Sequence, residues 1–318
     1  MISKLLKKGD KGPDVVRLQK ILNIIPDGVF GPKTEKAVMR FQLDKQLKVD
    51  GIVGSNTWHM LNMSKSTGEA IDEDTDLNNQ HFETNYNQLI HRHYLDKDEY
   101  LNKPGKLEYC FLHHTAGREN PYRTIDHWNK DTRGRVSTEF VIGGQSHRTG
   151  DNEYDGIVVQ AFPENGYGWH LGTTGSGHMN RHSVGIEICS AGWLEEWMSG
   201  DFENPDVQYR TYFNSIVAED QVMKLDEPFR GKQYYHAYSD AQIEAVGLLL
   251  KHIAERDEID MRIGLKQWIK KYGPKKAFEF QEDAYYGKVK GLLSHTNVRR
   301  DKSDVYPDER IVDIILNL

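Results

Sequence analysis

Residues 1–62 repeat themselves. Asp27-Gly28-Val29-Phe30-Gly31, followed by Thr34, returns as Asp50-Gly51-Ile52-Val53-Gly54, followed by Thr57, at an offset of 23 residues. An Asp-Gly pair marks a tight turn, because glycine enters the left-handed backbone without a Cβ clash, and the later glycine permits another reversal. Around these turns Val15, Leu18 and Leu22 share one helical face, as do Val38 and Phe41. Ser55 is placed to cap a last short helix that buries Trp58 and Leu61. The expectation for this stretch is a small bundle of about three helices stitched by Asp-Gly turns.

Charge is unevenly spread. The 318-residue chain carries a formal net charge of -7, yet residues 1–62 hold eleven Lys/Arg against six Asp/Glu, leaving -12 for the remainder. A basic module on an acidic protein points to an anionic partner; cell-wall polymer and nucleic acid both qualify on charge, and an ordinary solvated surface needs neither. Residues 63–84 are dominated by Ser, Thr, Asn and acids, including Asp72-Glu73-Asp74, and read as an acidic flexible linker. Order is expected to resume near Tyr86, with Leu89, Tyr94 and Tyr100 as anchors. No run approaches the roughly 18 apolar residues that span a bilayer, so no membrane insertion is expected. The opening segment has no apolar core, so no ordinary secretion signal is expected either. Cys110 and Cys189 lie in apolar runs and are expected as buried free thiols.

From Leu107 the pattern becomes mixed α/β. Tyr109 to His113, Ser137 to Ile142, Gly156 to Phe162 and Ser183 to Cys189 read as strands. Ser239-Asp240-Ala241-Gln242 is a capping box opening a helix that places Ile243, Val246, Leu250 and Ile253 on one face. A sheet with packed helices follows, making residues 85–318 one α/β domain beside the small N-terminal bundle.

Three features of that domain carry chemistry. Phe111-Leu112-His113-His114-Thr115-Ala116-Gly117 is an apolar strand ending in two histidines and a turn. Side chains alternate along a strand, so only one of the two readily faces a given site. His295 and Asp304 bracket a loop and can converge on one ion, and with His113 they supply the three protein ligands of a catalytic zinc site. Lys302, two residues before Asp304, is placed to face a substrate beside the metal. Glu187 lies mid-strand in Ser183-Val184-Gly185-Ile186-Glu187-Ile188-Cys189, where a carboxylate is costly without a task or a partner. It is a candidate general base with a raised pKa.

These residues carry two resemblances. Gly9, Gly12, Leu18-Gln19, Asp27-Gly28, Phe30-Gly31, Phe41-Gln42, Asp50-Gly51, Gly54 and Thr57-Trp58 resemble the peptidoglycan-binding domain found at one end of many wall hydrolases, over nearly all of residues 5–62. Residues 107–310 resemble the N-acetylmuramoyl-L-alanine amidase family, which includes phage amidase lysins and is related to peptidoglycan recognition proteins. The motifs are His113-His114-Thr115-Ala116-Gly117, Ser137-Thr138-x-Phe140-Val141-Ile142, Trp169-His170-Leu171-Gly172, Ser183-Val184-Gly185-Ile186-Glu187, and His295 with Lys302-x-Asp304, in that order. The resemblance implies Zn2+ on His113, His295 and Asp304, with Glu187 as the catalytic carboxylate and Lys302 stabilising the transition state. It implies Trp169, His170 and Thr138 at the substrate, with structural support the other reading of His170, and bacterial peptidoglycan as the partner of a monomer. Nucleic acid is not expected.

Glu139 stands where many relatives have His, which puts a neighbouring contact in doubt. Long extra segments at 192–235 and 258–288 separate the motifs, and the first, rich in acids and aromatics, suggests a lid, a cleft rim or a peripheral insertion. A modular lysin without a signal segment suggests, by analogy, a phage endolysin held in the host cytoplasm until lysis and acting then on the wall. The rival readings are a non-catalytic recognition protein on the same fold and a cytoplasmic enzyme recycling muropeptides.

Overall fold

The structure is a computed structural model describing residues 5–22, 24–45, 47–54, 56–58, 60–61, 90–102, 105–172, 177–200 and 205–318. It divides into two compact units, Met1–Ile90 and His91–Leu318. The expected linker over 63–84, the anchors Tyr86 and Leu89 and the capping Ser55 lie outside the described residues. Among the described residues no helix is long and apolar enough to cross a membrane.

In the first unit, α1 (Pro13–Ile21) and α2 (Pro32–Asp44) each start with a proline directly behind a glycine. Proline suits the first helical position, where its missing N–H is not needed. Residues 56–58 are helical again. Leu6, Val15, Leu18, Phe30, Val38, Val53, Trp58 and Leu61 form the core. Gly28 and Gly51 take the expected positive φ, 75° and 68°.

The repeat has a physical basis in two buried glutamines. Nε2 of Gln19 donates to Asp27 Oδ1, Val29 O and Thr34 Oγ1 at 2.7, 3.0 and 2.9 Å, and Oε1 accepts from Gly28 N at 2.9 Å. Nε2 of Gln42 donates to Asp50 Oδ1, Ile52 O and Thr57 Oγ1 at 3.0, 2.9 and 3.1 Å, and Oε1 accepts from Gly51 N at 2.9 Å. Each Asp-Gly turn is therefore wrapped around the amide of a preceding helix. Buried polar groups of this kind are tolerated when every donor and acceptor is matched.

In the second unit the chain runs through β1 (His91–Arg92), β2 (Leu101–Asn102), β3 (Tyr109–His114), α3 (Pro121–Trp128), β4 (Phe140–Ile142), β5 (Val158–Gln160), β6 (Gly166–Tyr167), α4 (Gly177–Arg181) and β7 (Ser183–Ile188). An antiparallel block follows: β8 (Trp193–Gly200), β9 (Pro205–Thr211), β10 (Ile216–Val217), β11 (Val222–Phe229) and β12 (Lys232–His236). The chain closes with α5 (Asp240–Asp257), α6 (Leu265–Tyr272), α7 (Pro274–Phe278), α8 (Glu282–Tyr285), β13 (Gly291–Ser294), α9 (His295–Val298) and α10 (Glu309–Asn317).

The main sheet has six strands in the order β1-β5-β4-β7-β3-β13. β3, β7, β4 and β13 run parallel, and β5 pairs antiparallel with β4. Its central strands are buried on both faces, which fits their continuous apolar runs. α5 opens at the Ser239–Gln242 capping box and buries Ile243, Val246, Leu250 and Ile253, as expected. Cys110 and Cys189 are buried free thiols. The strand expected over 137–142 is confined to Phe140–Ile142. Before it, Thr138 turns its hydroxyl onto Phe140 O at 3.0 Å, a local bond that competes with the sheet ladder. The extra segment 192–235 is a five-stranded sheet of its own, ordered β10-β9-β8-β12-β11. The segment 258–288 supplies α6, α7 and α8.

Candidate active site

The parallel strands deliver the site. In the register of β3 and β7, His113 stands opposite Glu187 and Phe111 opposite Gly185, so all four lie on one sheet face. His114 falls on the other face, where its Nδ1 lies 2.8 Å from the Tyr238 hydroxyl. β13 runs beside β3 and ends at Ser294, which caps α9 and places His295 at its first turn. The chain then loops back to Asp304. His113, His295 and Asp304 are buried, and one potential ligand atom from each lies within 4.8 Å of the others.

The distances match a small ion. Asp304 Oδ2 lies 2.9 Å from His295 Nδ1 and 3.5 Å from His113 Nδ1. A tetrahedral zinc with bonds of about 2.0–2.1 Å keeps its ligand atoms roughly 3.3 Å apart. Protonation states agree as well. Burial alone would raise the Asp304 carboxyl, but the charge of His295 and hydrogen bonds from His113 and His295 outweigh it and hold the group well below its ordinary value. Burial, aided by the charge of His295, pushes His113 down to about 4. An ionised carboxylate and a neutral imidazole are the forms that bind metal. His295 Nε2 is buried without a hydrogen-bond partner.

Behind His113 stands a relay. Its Nε2 lies 2.9 Å from His170 Nδ1, and His170 Nε2 lies 2.7 Å from the Ser183 hydroxyl. Asn180 Oδ1 accepts from the backbone N–H of His170 and of Leu171, fixing the loop. Gly185 makes room for this arrangement: a Cβ there would come within 2.7 Å of Thr138 Cγ2 and 3.1 Å of His170 Nδ1. Thr138, expected at the substrate, is 1% exposed. With its hydroxyl on Phe140 O, it packs beside Gly185 next to His170. Trp169 is half-buried, with its ring edge-on to Tyr167.

Burial pushes the Glu187 carboxyl well above its ordinary value; the charge of Asp304 adds to the shift and Lys302 opposes it. Lys302 is half-buried, and its charge is felt at both His113 and Glu187. Glu139 has a settled partner instead of a site role. It is 1% exposed and pairs with Arg256 Nη1 at 2.7 Å, tying the start of β4 to α5.

Sequence reasoning missed Arg230. It occupies the tip of the β11–β12 hairpin at φ 52°, and its guanidinium donates to Thr296 O at 2.9 Å and Arg300 O at 3.1 Å. Its Nε lies 3.1 Å from Glu279 Oε2. The inserted sheet thereby grips the loop between His295 and Asp304. The Arg-Gly pair at 230–231 signals a turn, but nothing local to it points to a contact 66 residues away. Arg299 makes a second tie, donating to Leu171 O at 2.7 Å and pairing with Asp301.

The fold is a mixed α/β sheet with a cluster able to hold a metal ion beside the half-buried Glu187. The chain belongs to the N-acetylmuramoyl-L-alanine amidase family, whose profile matches residues 103–276. That span contains His113, Thr138, Trp169, His170 and Glu187 and stops short of His295, Lys302 and Asp304, of which His295 and Asp304 cluster with His113. A peptidoglycan-binding-domain profile matches residues 11–61. An uncharacterized protein of Kitasatospora aureofaciens from the bpoA1 3' region is 42% identical over 71 residues, covering 20% of this chain and 60% of that protein. The N-acetylmuramoyl-L-alanine amidase CwlA of Bacillus subtilis is 31% identical over 86 residues, 27% of each chain. The solved catalytic domain of XlyA is 16% identical, with 68% of this chain and 89% of that one covered at a TM-score of 0.34. The chain thus spans less than two thirds of the length of these two curated relatives.

Proposed function

We propose that this chain is a zinc-dependent peptidoglycan hydrolase cutting the amide between the lactyl group of N-acetylmuramic acid and L-alanine of the stem peptide, in the role of a phage endolysin. The observation that carries this reading is the meeting of His113, His295 and Asp304 on the sheet face that also presents Glu187. Two imidazoles and a carboxylate are the donor set of a catalytic zinc site. His113, His295 and Asp304 would hold the ion. When bound, it supplies a Lewis acid for the scissile carbonyl and acidifies the attacking water.

The chain's own groups do the rest. Glu187 takes the proton of the attacking water on its carboxylate and returns it to the leaving amine. The Lys302 ammonium stabilises the negative charge that develops on the carbonyl oxygen. His170, held by Ser183, fixes the ring of His113 through Nε2. Residues 1–62 hold the enzyme on the wall polymer and raise the local substrate concentration, and residues 85–318 form the catalytic domain.

Mass spectrometry of digested walls tests the reading. New L-alanine amines with free muramic acid lactyl groups are expected. New reducing sugars, or no products from the metal-loaded protein, would overturn it.

A further inference from the structure

A cavity of about 360 Å³ lies against the loop that joins His295 to Asp304. That volume falls within the roughly 300–1,000 Å³ typical of small-ligand sites. One wall is Val298 to Asp301 and the other comes from Phe280, Tyr285 and Tyr286 of the extra segment. The two walls are fastened together. Asn297 Nδ2 donates to Ala277 O and Glu279 O at 2.8 Å each, and Gln281 N donates to Asn297 O at 3.0 Å. Ala284 of α8 is buried in one cluster with Val298 and Phe111.

We propose that this cavity is a glycan subsite, binding neutral pyranose rings that extend from the muramoyl residue in the cleft. The proposal rests on the amidase reading above. Tyr285 and Tyr286 are 37% and 63% exposed, with ring centroids 5.3 Å apart and edge-on. Exposed aromatic rings offer large, rigid apolar surfaces to the C–H faces of sugars, and their hydroxyls reach polar partners. The charged lining is balanced, with Arg299 and Arg300 against Glu282 and Asp301. Arg299 is held by Asp301 at 2.7 Å, and Arg300 lies 3.7 Å over the Phe280 ring. Two committed guanidiniums do not make a phosphate site. Donors and acceptors side by side suit the hydroxyl and acetamido groups of an uncharged sugar. A wall glycan continues on either side of the muramoyl unit, and the cavity takes one of its walls from the same loop that joins His295 to Asp304.

The test compares kcat/KM of the full-length enzyme on a single-sugar muropeptide with that on the same peptide carried by a tetrasaccharide. The wild type is expected to favour the longer glycan by roughly tenfold, through KM. Tyr285→Ala/Tyr286→Ala should bring the ratio near one, as should the single exposed-site variant Tyr286→Ala in part, while Tyr286→Trp keeps the preference. No preference in the wild type, or a preference that survives Tyr286→Ala and the double variant, would overturn the subsite. A wild type that cleaves neither substrate would instead remove the amidase reading.

Discussion

Nε2 of His113 lies 2.9 Å from Nδ1 of His170, so one ring nitrogen of the proposed ligand is committed before any metal arrives. Such outer partners typically change metal affinity by about 10–100-fold when removed. His170→Ala is expected to weaken zinc binding within that range, measured by competition with a chromogenic chelator. His170→Gln, which keeps a polar contact, should recover part of it. Unchanged zinc affinity in His170→Ala would reduce the relay to packing.

Glu187 faces His113 across the β3–β7 register without belonging to the ligand cluster. Glu187→Gln should therefore keep its zinc content while turnover falls by at least about 100-fold. Metal analysis alongside muropeptide cleavage separates the two effects. Wild-type turnover in this variant would remove Glu187 from the mechanism.

Arg230 holds two carbonyls of the ligand loop at 2.9 and 3.1 Å. Hydrogen bonds from a charged donor contribute about 1.5–3 kcal/mol, and their loss leaves the loop less defined. Arg230→Met should shorten the half-life of bound zinc against excess chelator several-fold, and Arg230→Lys should restore little because it lacks the planar fork. Equal zinc release in all three proteins would make the inserted sheet a bystander.

Acid should weaken the second unit through histidines outside the ligand cluster. Burial, with the charges of His147 and His114, pushes His236 down to about 3, and burial with Arg256 pushes His252 down to about 4. The unfolded chain binds these protons near the ordinary value of 6.5 and the folded chain does not. Their contribution is present above pH 6.5 and is lost as pH falls toward those folded values, by about 1.4 kcal/mol per pH unit per group. Urea unfolding of wild type and His252→Phe between about pH 4.5 and 6.5 should show a shallower slope in the variant, by about one proton. Parallel slopes would count against His252.

What was legible in the sequence follows from how locally each residue is determined. His113 and Glu187 sit in apolar strand runs that the pattern marks, while their shared face depends on a register that no local pattern gives. The capping box at Ser239 and the Asp-Gly turns are local. The strand expected from Ser137 starts three residues later, at Phe140, because the pattern could not show that Thr138 would turn its hydroxyl onto the local backbone. Glu139 looked like a disturbed contact, and its explanation lies in Arg256, on a helix that no spacing rule links to β4. Arg230 was invisible for the same reason. Its meaning comes from a hairpin folding back onto a loop far along the chain.

The paired glutamines of the first unit set a rule of substitution that the chain states twice. Glutamate copies the outline of Gln19 but brings no N–H for Val29 O or Thr34 Oγ1. Leucine fills the space and strands the Gly28 N–H, and asparagine stops one methylene short. The same holds at Gln42 with Ile52, Thr57 and Gly51. A saturation library at both codons, sorted for folded protein, should keep glutamine at each. Tolerance at one position and not at the other would show that the two halves of the repeat have drifted apart in what they demand.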